Sequence, residues 1–509
     1  MKTAPHEAVP RPLMRTACAA VMALALGVSS ALAADEPKTS PGVERVPFDP
    51  KAFKPDPSYT DKPYDPARQI DIYGGKRNIE EPRPILELGR PLYREGPLLG
   101  GYNVVGRKNP VNPSLQVYGD WRTALAYNDN GGTETGQIAN RLNLDVDLAL
   151  TSTERFHALF RPLDQNGEFT RYEFFGDDRA RGKGILDGNV DTLFFEGDLG
   201  NMLAGVSDRY QDFDLPVSAG LMPLIFQNGI WADDAITGFA FAMPARNSRK
   251  LGISNMDVSF FAGFDKVSTP AIKDDKNKFA DHNVRVYGAA LFVDSNGGYW
   301  EAGLGRVDGE RGFDEFSYNS ATVAFTRRYG GWLSNSLRGV WTFGQDRQRN
   351  QQQNADGFIA LMENSLITAR PLTLVPYLNL FAGFDRPQSL IRDAGAGGIL
   401  KNTGILFETD GLTNFPKLDD TGQNTYGGAL GLQYLFNLDQ QLIFEVAGLR
   451  PIEGDLELGR PARAQQYGFG VRYQIPLTKS VIFRADMITA HREKDTNLAG
   501  VRSEIRLKF

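Results

Sequence analysis

The sequence predicts an all-β protein, a transmembrane antiparallel β-barrel of about 16–20 strands preceded by a proline-rich periplasmic arm. Three observations carry this. Apolar and polar residues alternate at period two in run after run, connections alternate short and long, and the chain ends on an alternating strand closed by phenylalanine. Period-two alternation gives a strand one apolar and one polar face. In a membrane barrel the apolar face meets lipid and the polar face lines the lumen.

The N-terminus comes first. Lys2, Arg11 and Arg15 precede the apolar run ACAAVMALALGVSS, and Ala-Leu-Ala follows at 31–33. This pattern predicts a signal peptide over 1–33, cut after Ala33. An apolar run of about 14 residues is too short to span a bilayer comfortably. The single cysteine, Cys18, lies inside it, so residues 34–509 hold no disulfide, no thiolate metal site and no cysteine nucleophile. Without the signal, 53 basic and 61 acidic residues remain, a net charge of −8 that argues against nucleic acid as a partner. No long apolar stretch follows Ala33, so membrane passage requires a closed barrel, in which every backbone group is satisfied.

Residues 34–113 hold 14 prolines, against 12 in the 396 residues that follow. Proline at that density disfavours helix and interrupts ladders. The segment reads as an extended periplasmic arm, with the more apolar 83–101 placed at or inside the barrel mouth.

From 114 to 509 the strand pattern takes over. Leu115, Val117, Trp121, Thr123, Leu125 and Tyr127 share one face, opposite Gln116, Asp120 and Arg122. In NRLNLDVDLAL, Leu142, Leu144, Val146 and Leu148 alternate with Arg141, Asn143, Asp145 and Asp147. Near the end, Tyr467, Phe469, Val471, Tyr473 and Ile475 oppose Gln466, Arg472 and Gln474. Runs of about 10 residues suit tilted strands crossing a hydrocarbon layer. Counting back from Phe509, the longer connections at 491–497, 449–463, 386–424, 344–357 and 307–316 fall on the outside. The shorter ones at 476–480, 437–440, 370–373, 329–335 and 295–298 fall in the periplasm. The stretch 176–254 does not divide cleanly into strands.

On the signal sequence, the alternating strands and the terminal SEIRLKF, residues 114–509 resemble the bacterial outer-membrane porins. Within that class, VSAGLMPLIFQNGIWADDAITGFAF at 217–241 is loosely similar to a strand–loop–strand of the alginate-export type of large barrel. The resemblance implies an outer-membrane channel for small hydrophilic solutes; the arginines on the polar parity point to an anionic one, a carbohydrate-like one is the other expectation, and the residues offer no enzyme site. It also implies partnership with outer-membrane lipid and with the barrel-assembly machinery, for which Phe509 serves as the assembly signal. The alternative is a scaffold or adhesin barrel, or the sheath of an electron-transfer conduit, acting through a bound partner. The 386–424 loop is long enough to fold into the lumen or to reach outward.

Strand parity then nominates pore-lining residues: Arg122, Arg141, Asp145, Asp147, Arg155, Arg161, Arg285, Arg338, Arg472, Arg484, Arg502 and Arg506. Asp120, Asp486 and Glu504 are among the acidic residues on the same face, and Tyr118, Tyr287 and Phe261 are its aromatics. Rings of arginine favour anions, while cross-strand pairs of opposite charge set register without selecting a solute. Three histidines follow the signal, His157, His282 and His491, and no two stand at metal-ligand spacing. No metal or cofactor is expected.

Overall fold

The computed structural model describes residues 83–89, 101–165, 167–176, 181–274, 276–346, 353–370, 373–436, 439–452 and 464–509. The expected signal peptide, most of the expected arm and residues 453–463 of one connection lie outside the described residues. What is described is a closed antiparallel barrel of 18 staves.

In ring order the staves begin with β2 (Ser114–Asp129) and β3 (Glu134–Ala149). The third is split between β4 (Arg155–Phe160) and β6 (Glu168–Phe175), and the fourth between β7 (Arg181–Lys183) and β8 (Val190–Asp198). Next come β9 (Pro216–Phe226), β10 (Ala232–Ser248), β11 (Ile253–Asp265), β12 (Val284–Ser295), β13 (Gly298–Gly309) and β14 (Tyr318–Tyr329). They are followed by β15 (Leu333–Phe343), β16 (Asp356–Leu366), β17 (Leu374–Arg386), β19 (Thr425–Phe436), β20 (Gln440–Pro451), β21 (Gln466–Pro476), β22 (Val481–Arg492) and β23 (Leu498–Lys508). Three short segments lie off the ring: β1 (Leu86–Gly89), β5 (Asp164–Gln165) and β18 (Ile391–Arg392). Pairing of β2 with β23, from Asp120↔Lys508 to Asp129↔Ala499, closes the ring.

The alternation that marks these strands in sequence reappears as two faces. Outward side chains such as Leu125, Leu304, Leu430, Val446, Val501 and Ile505 are half-exposed and form an apolar belt, with Trp121, Tyr127, Trp300 and Tyr434 among its aromatics. An apolar surface of that extent has no place in water and suits hydrocarbon. From β11 to β23 the shorter connections fall at one rim and the longer ones at the other, while the turn at 130–133 is short at the long rim and the 199–215 connection long at the short rim. At the short rim β12 turns into β13 through Asn296 (φ 58°) and Gly297 (φ 69°), the two positive-φ positions of a type I′ hairpin.

Ahead of β2 the described residues hold one strand. β1 pairs with Ser114–Val117 of β2, directly beyond the point where Phe509 hydrogen-bonds Gly119, and so extends the closing seam at the short-turn rim. Helix α1 (Leu199–Ser207), capped by Asp198 accepting from the Asn201 N–H at 2.8 Å, also lies at this rim, between β8 and β9.

The difficulty of 176–254 has a physical cause. Gly220 (φ +126°) pairs across the hairpin with Gly238. A Cβ on either would meet a backbone carbonyl, of Leu193 at 2.5 Å and of Ala262 at 2.0 Å. Beyond this pair the tip of the β9–β10 hairpin leaves the wall and folds into the lumen. Met222, Leu224, Ile230 and Trp231, and residues of the 387–424 connection, then form one buried apolar cluster with inward residues of β11–β20 and the far ends of β22 and β23. The interior is therefore half core and half polar wall.

Candidate functional site: a charged lumen wall under an inward loop

The polar wall is built by register. Across β21, β22 and β23, Arg472 pairs with Asp486 and Asp486 with Arg502. One rung toward the short-turn rim, Arg484 faces Glu504. At the next rung Arg506 pairs with Arg122 and Arg122 with Arg141. The side chains interlock across these rungs. Arg122 grips Glu504 with two hydrogen bonds of 2.8 Å, and Arg506 grips Asp120 at 2.9 and 3.1 Å. Asp486 accepts from Arg472 at 2.7 Å, Arg484 at 2.8 Å and Arg502 at 2.9 Å.

The 387–424 connection completes this wall from inside. Glu408 accepts from Arg472 at 2.6 Å and Arg484 at 3.3 Å. Asp410 pairs with Arg502 and stands 3.9 Å from Arg122. The Thr413 carbonyl accepts from Asn128 at 2.6 Å and Gln137 at 2.7 Å, and the Phe415 ring lies 5.5 Å from the Arg502 guanidinium. Burial would push the Asp410 carboxyl up; the charges of Arg502 and Arg122 and the hydrogen bonds from Thr413 and Arg502 overcome it and hold the carboxyl below the usual range.

Farther round, Arg141 and Arg161 share Asp164 at 3.6 and 3.8 Å, and Arg161 also pairs with Asp191. Arg155 bridges Asp147 at 3.5 Å and Glu196 at 3.1 Å, with His157 3.2 Å from the same glutamate. Asp145 faces Tyr118 across β2 and β3. On the opposite wall the buried Arg338 lies 3.7 Å from both Glu301 and Glu363 and donates to Gln227 of the hairpin tip at 2.8 Å. Asp257, Ser259 and Glu301 line a small cavity beside Trp231.

The two inward connections are locked together on that opposite side. β18 pairs parallel with Ala232 and Asp233 of β10, and Arg392 donates to the Gly229 carbonyl at 2.5 Å. Trp231, fully buried, donates from Nε1 to Ser320 at 3.0 Å, and its ring lies where a Cβ on Gly303 would stand, at 2.5 Å. Leu390 covers Gly305 in the same way, at 2.6 Å.

Of the twelve nominated residues, the structure brings Arg122, Arg472, Arg484 and Arg502 into one network, sets Arg506 beside it on Asp120, and sets Arg141 and Arg161, Arg155 with Asp147, Asp145, and Arg338 at separate inward positions. Arg285 is a correction. It shares its face of β12 with Tyr287, both exposed, while Val284 and Val286 point inward and are buried; Arg285 pairs outside with Glu310 at 2.9 Å. The cause is local: at this height loops fill the lumen, so the apolar face turns inward and the polar face outward. Tyr287 is corrected for the same reason. Phe261 does point inward but is sealed between Phe226 and Trp231 at 5.4 and 6.1 Å.

Strand parity could not reach Glu408, Asp410, Gln227 or Trp231, which lie on connections. One signal was available in the sequence: GGILKNTGILFETDGLTNFPKL is too apolar for a solvated loop.

A ring of 18 staves with an apolar exterior, a charged interior and two connections folded into its lumen has the architecture of a porin. No protein-family model matches the sequence, and no curated protein does. Among solved structures, a BenF-like porin from Pseudomonas fluorescens Pf-5 aligns with a TM-score of 0.53 at 11% identity, covering 78% of this chain and 98% of that one. OccK2 (OpdF) of Pseudomonas aeruginosa aligns with a TM-score of 0.49 at 12% identity, covering 78% and 98%. At such identities the likeness is one of fold, and the BenF-like porin carries it.

Proposed function

We propose that this protein is an outer-membrane channel for small hydrophilic solutes, with anions preferred along the arginine wall. The observation that carries the reading is the pairing of an apolar belt outside with a polar, arginine-bearing wall inside a closed ring. The belt accounts for residence in lipid, and the wall supplies a path on which a charged solute exchanges hydration for guanidinium hydrogen bonds. The porin fold supports this. The short-turn rim, with Phe509, then faces the periplasm, and the terminal strand is the natural tag for the barrel-assembly machinery. Direct pairing of wall arginines with carboxylates makes the preference graded rather than absolute.

Planar-bilayer recording of the refolded barrel tests the proposal. Stepwise current with a reversal potential displaced toward the anion supports it. A barrel that migrates in the heat-modifiable, folded form and stays silent even without residues 394–418 would end the channel reading, and a cation-displaced potential would end the anion preference.

A further inference from the structure

The 199–215 connection is long at a rim of short turns, and its helix rests on the outside of the wall rather than in the lumen. On β8, Phe194 faces inward, stacked on His157 and packed against the main apolar cluster. Phe195 and Gly197 therefore take the outward parity. Phe195 pairs at 5.2 Å with the exposed Phe156 of β4, a member of the apolar belt. Met202 of α1 reaches this same outward face, its Cε lying 2.5 Å from where a Cβ on Gly197 would stand. The helix thus lies against the lipid-facing side of the barrel, and it starts where β8 stops.

We propose that α1 and the 101–112 segment form a foot that lies in the phospholipid leaflet on the short-turn side, at the boundary of headgroups and acyl chains. The helix, LGNMLAGVS, carries no charge. Leu199, Met202, Leu203 and Val206 stand at i, i+3, i+4 and i+7, one face of a helix. On the other side Gly200, Ala204 and Gly205 are buried against the protein. A Cβ on Gly200 would meet the Phe213 carbonyl oxygen at 2.1 Å, and one on Gly205 the Asn109 side chain at 3.0 Å. The small side is held by the barrel and the large apolar side is left open, with Val206 74% exposed. The 101–112 segment is fixed beside it, because Asn109 donates to the buried Glu154 at 2.6 Å. It adds the exposed Tyr102, Val104 and Val105, and Lys108 stands 4.3 Å over the ring of the exposed Tyr210. Amphipathic tyrosine and lysine side chains suit a headgroup layer, with the apolar body toward the acyl chains and the polar end toward water. Across the two segments Arg107, Lys108 and Arg209 are matched by Asp208, Asp212 and Asp214. Apolar burial therefore holds the foot, and zwitterionic phospholipid suffices. Continuity with the belt through Met202, Phe195 and Phe156 selects lipid over a second copy of the chain. The foot is independent of the channel reading, since a barrel that passes no current would still carry it.

Depth measurement by fluorescence tests the proposal. Cys18 is the only cysteine in the sequence, so Val206→Cys in a Cys18→Ser background gives one labelling site. A polarity-sensitive fluorophore there is compared with labels on Leu304→Cys in the belt and Lys494→Cys at the long-connection rim, all in phosphatidylcholine vesicles. The expected result at 206 is emission shifted to the blue and quenching by phosphatidylcholine spin-labelled near the headgroup. Iodide should quench it severalfold less than the label at 494. Heat-modifiable migration confirms folding, and Leu203→Cys takes the place of Val206→Cys should that variant not fold. Emission and iodide quenching equal to those at 494, with no quenching by spin-labelled lipid, would overturn the foot and leave the patch in water. A label shielded from iodide yet untouched by spin-labelled lipid, with thiol cross-linking between barrels, would overturn it in favour of an interface between copies.

Discussion

The two sides of the lumen obey the same pleat and hold their loops by opposite means. On β21–β3 the inward positions toward the short-turn rim are arginines and carboxylates, with Ile488, Ala490 and Leu498 buried farther from it, and a loop tip docks there largely by charge. On β10–β17 they include Val286, Gly303, Gly305, Val340, Ile359 and Phe381, and the hairpin tip docks by burial. Burial is non-directional and insensitive to salt, whereas an ion pair needs its partner's charge and position, and of the pairs that dock this tip only those of Glu408, 37% exposed, are open to screening. One barrel thus holds two inward connections by two different forces.

The sharpest break in this comparison comes from removing the anchor on each side. Trp231→Ala should destabilise the barrel by about 3–5 kcal/mol in urea unfolding, with the loss independent of salt. Arg502→Met leaves Asp410 and Asp486 short of their buried partner and should lose about 3–5 kcal/mol, with the selectivity changing as well. The seam residue Arg506, 44% exposed in its pair with Asp120, should lose less than about 1 kcal/mol as Gln by the same measurement.

Next in size is the hinge. Gly220→Val imposes a β-branched residue at φ +126° and should lose about 1–3 kcal/mol, with altered proteolysis of the hairpin tip.

Acidity separates two carboxyls of the same loop. Asp410 is held below its usual range, so its contribution is complete above about pH 4, the unfolded value, and is lost as pH falls further. Asp419 is pushed up to about 6, chiefly by burial, with Thr421 hydrogen bonds and Lys417 opposing. The folded state then holds a proton that the unfolded chain has released, so stability falls as pH rises from about 4 to 6. Asp419→Asn should flatten that slope in pH-dependent urea unfolding and gain on the order of 1–2 kcal/mol at neutral pH. The smallest effect belongs to Arg285→Gln, which should leave conductance unchanged and stability within about 0.5 kcal/mol.

These contrasts also explain what could be read in the sequence. Strands such as Leu142–Leu148 and the five paired long and short connections were legible because alternation and turn chemistry are local properties. Arg122, Arg472 and Arg502 followed from the same parity. Arg285 did not, because polar-inward holds only where the lumen holds water, and there it is filled by other segments of chain, Ile236 and Val267 against Val286 among them. Glu408 and Asp410 escaped for a related reason: a loop has no period, so nothing local says which of its side chains will meet a wall.

One last consequence belongs to the closing seam. The hydrogen bond from Arg122 to Glu504 joins residues 382 positions apart, and Arg506 reaches Asp120 across 386. Contacts of such separation form late, because the intervening chain must be ordered first. A ring with one stave too few brings β2 and β23 together parallel, and one that slips its register by one residue turns these guanidiniums toward lipid, so neither forms these pairs. Two pairs of charges at the meeting point of the chain's ends therefore serve as a checksum on all the strands between them.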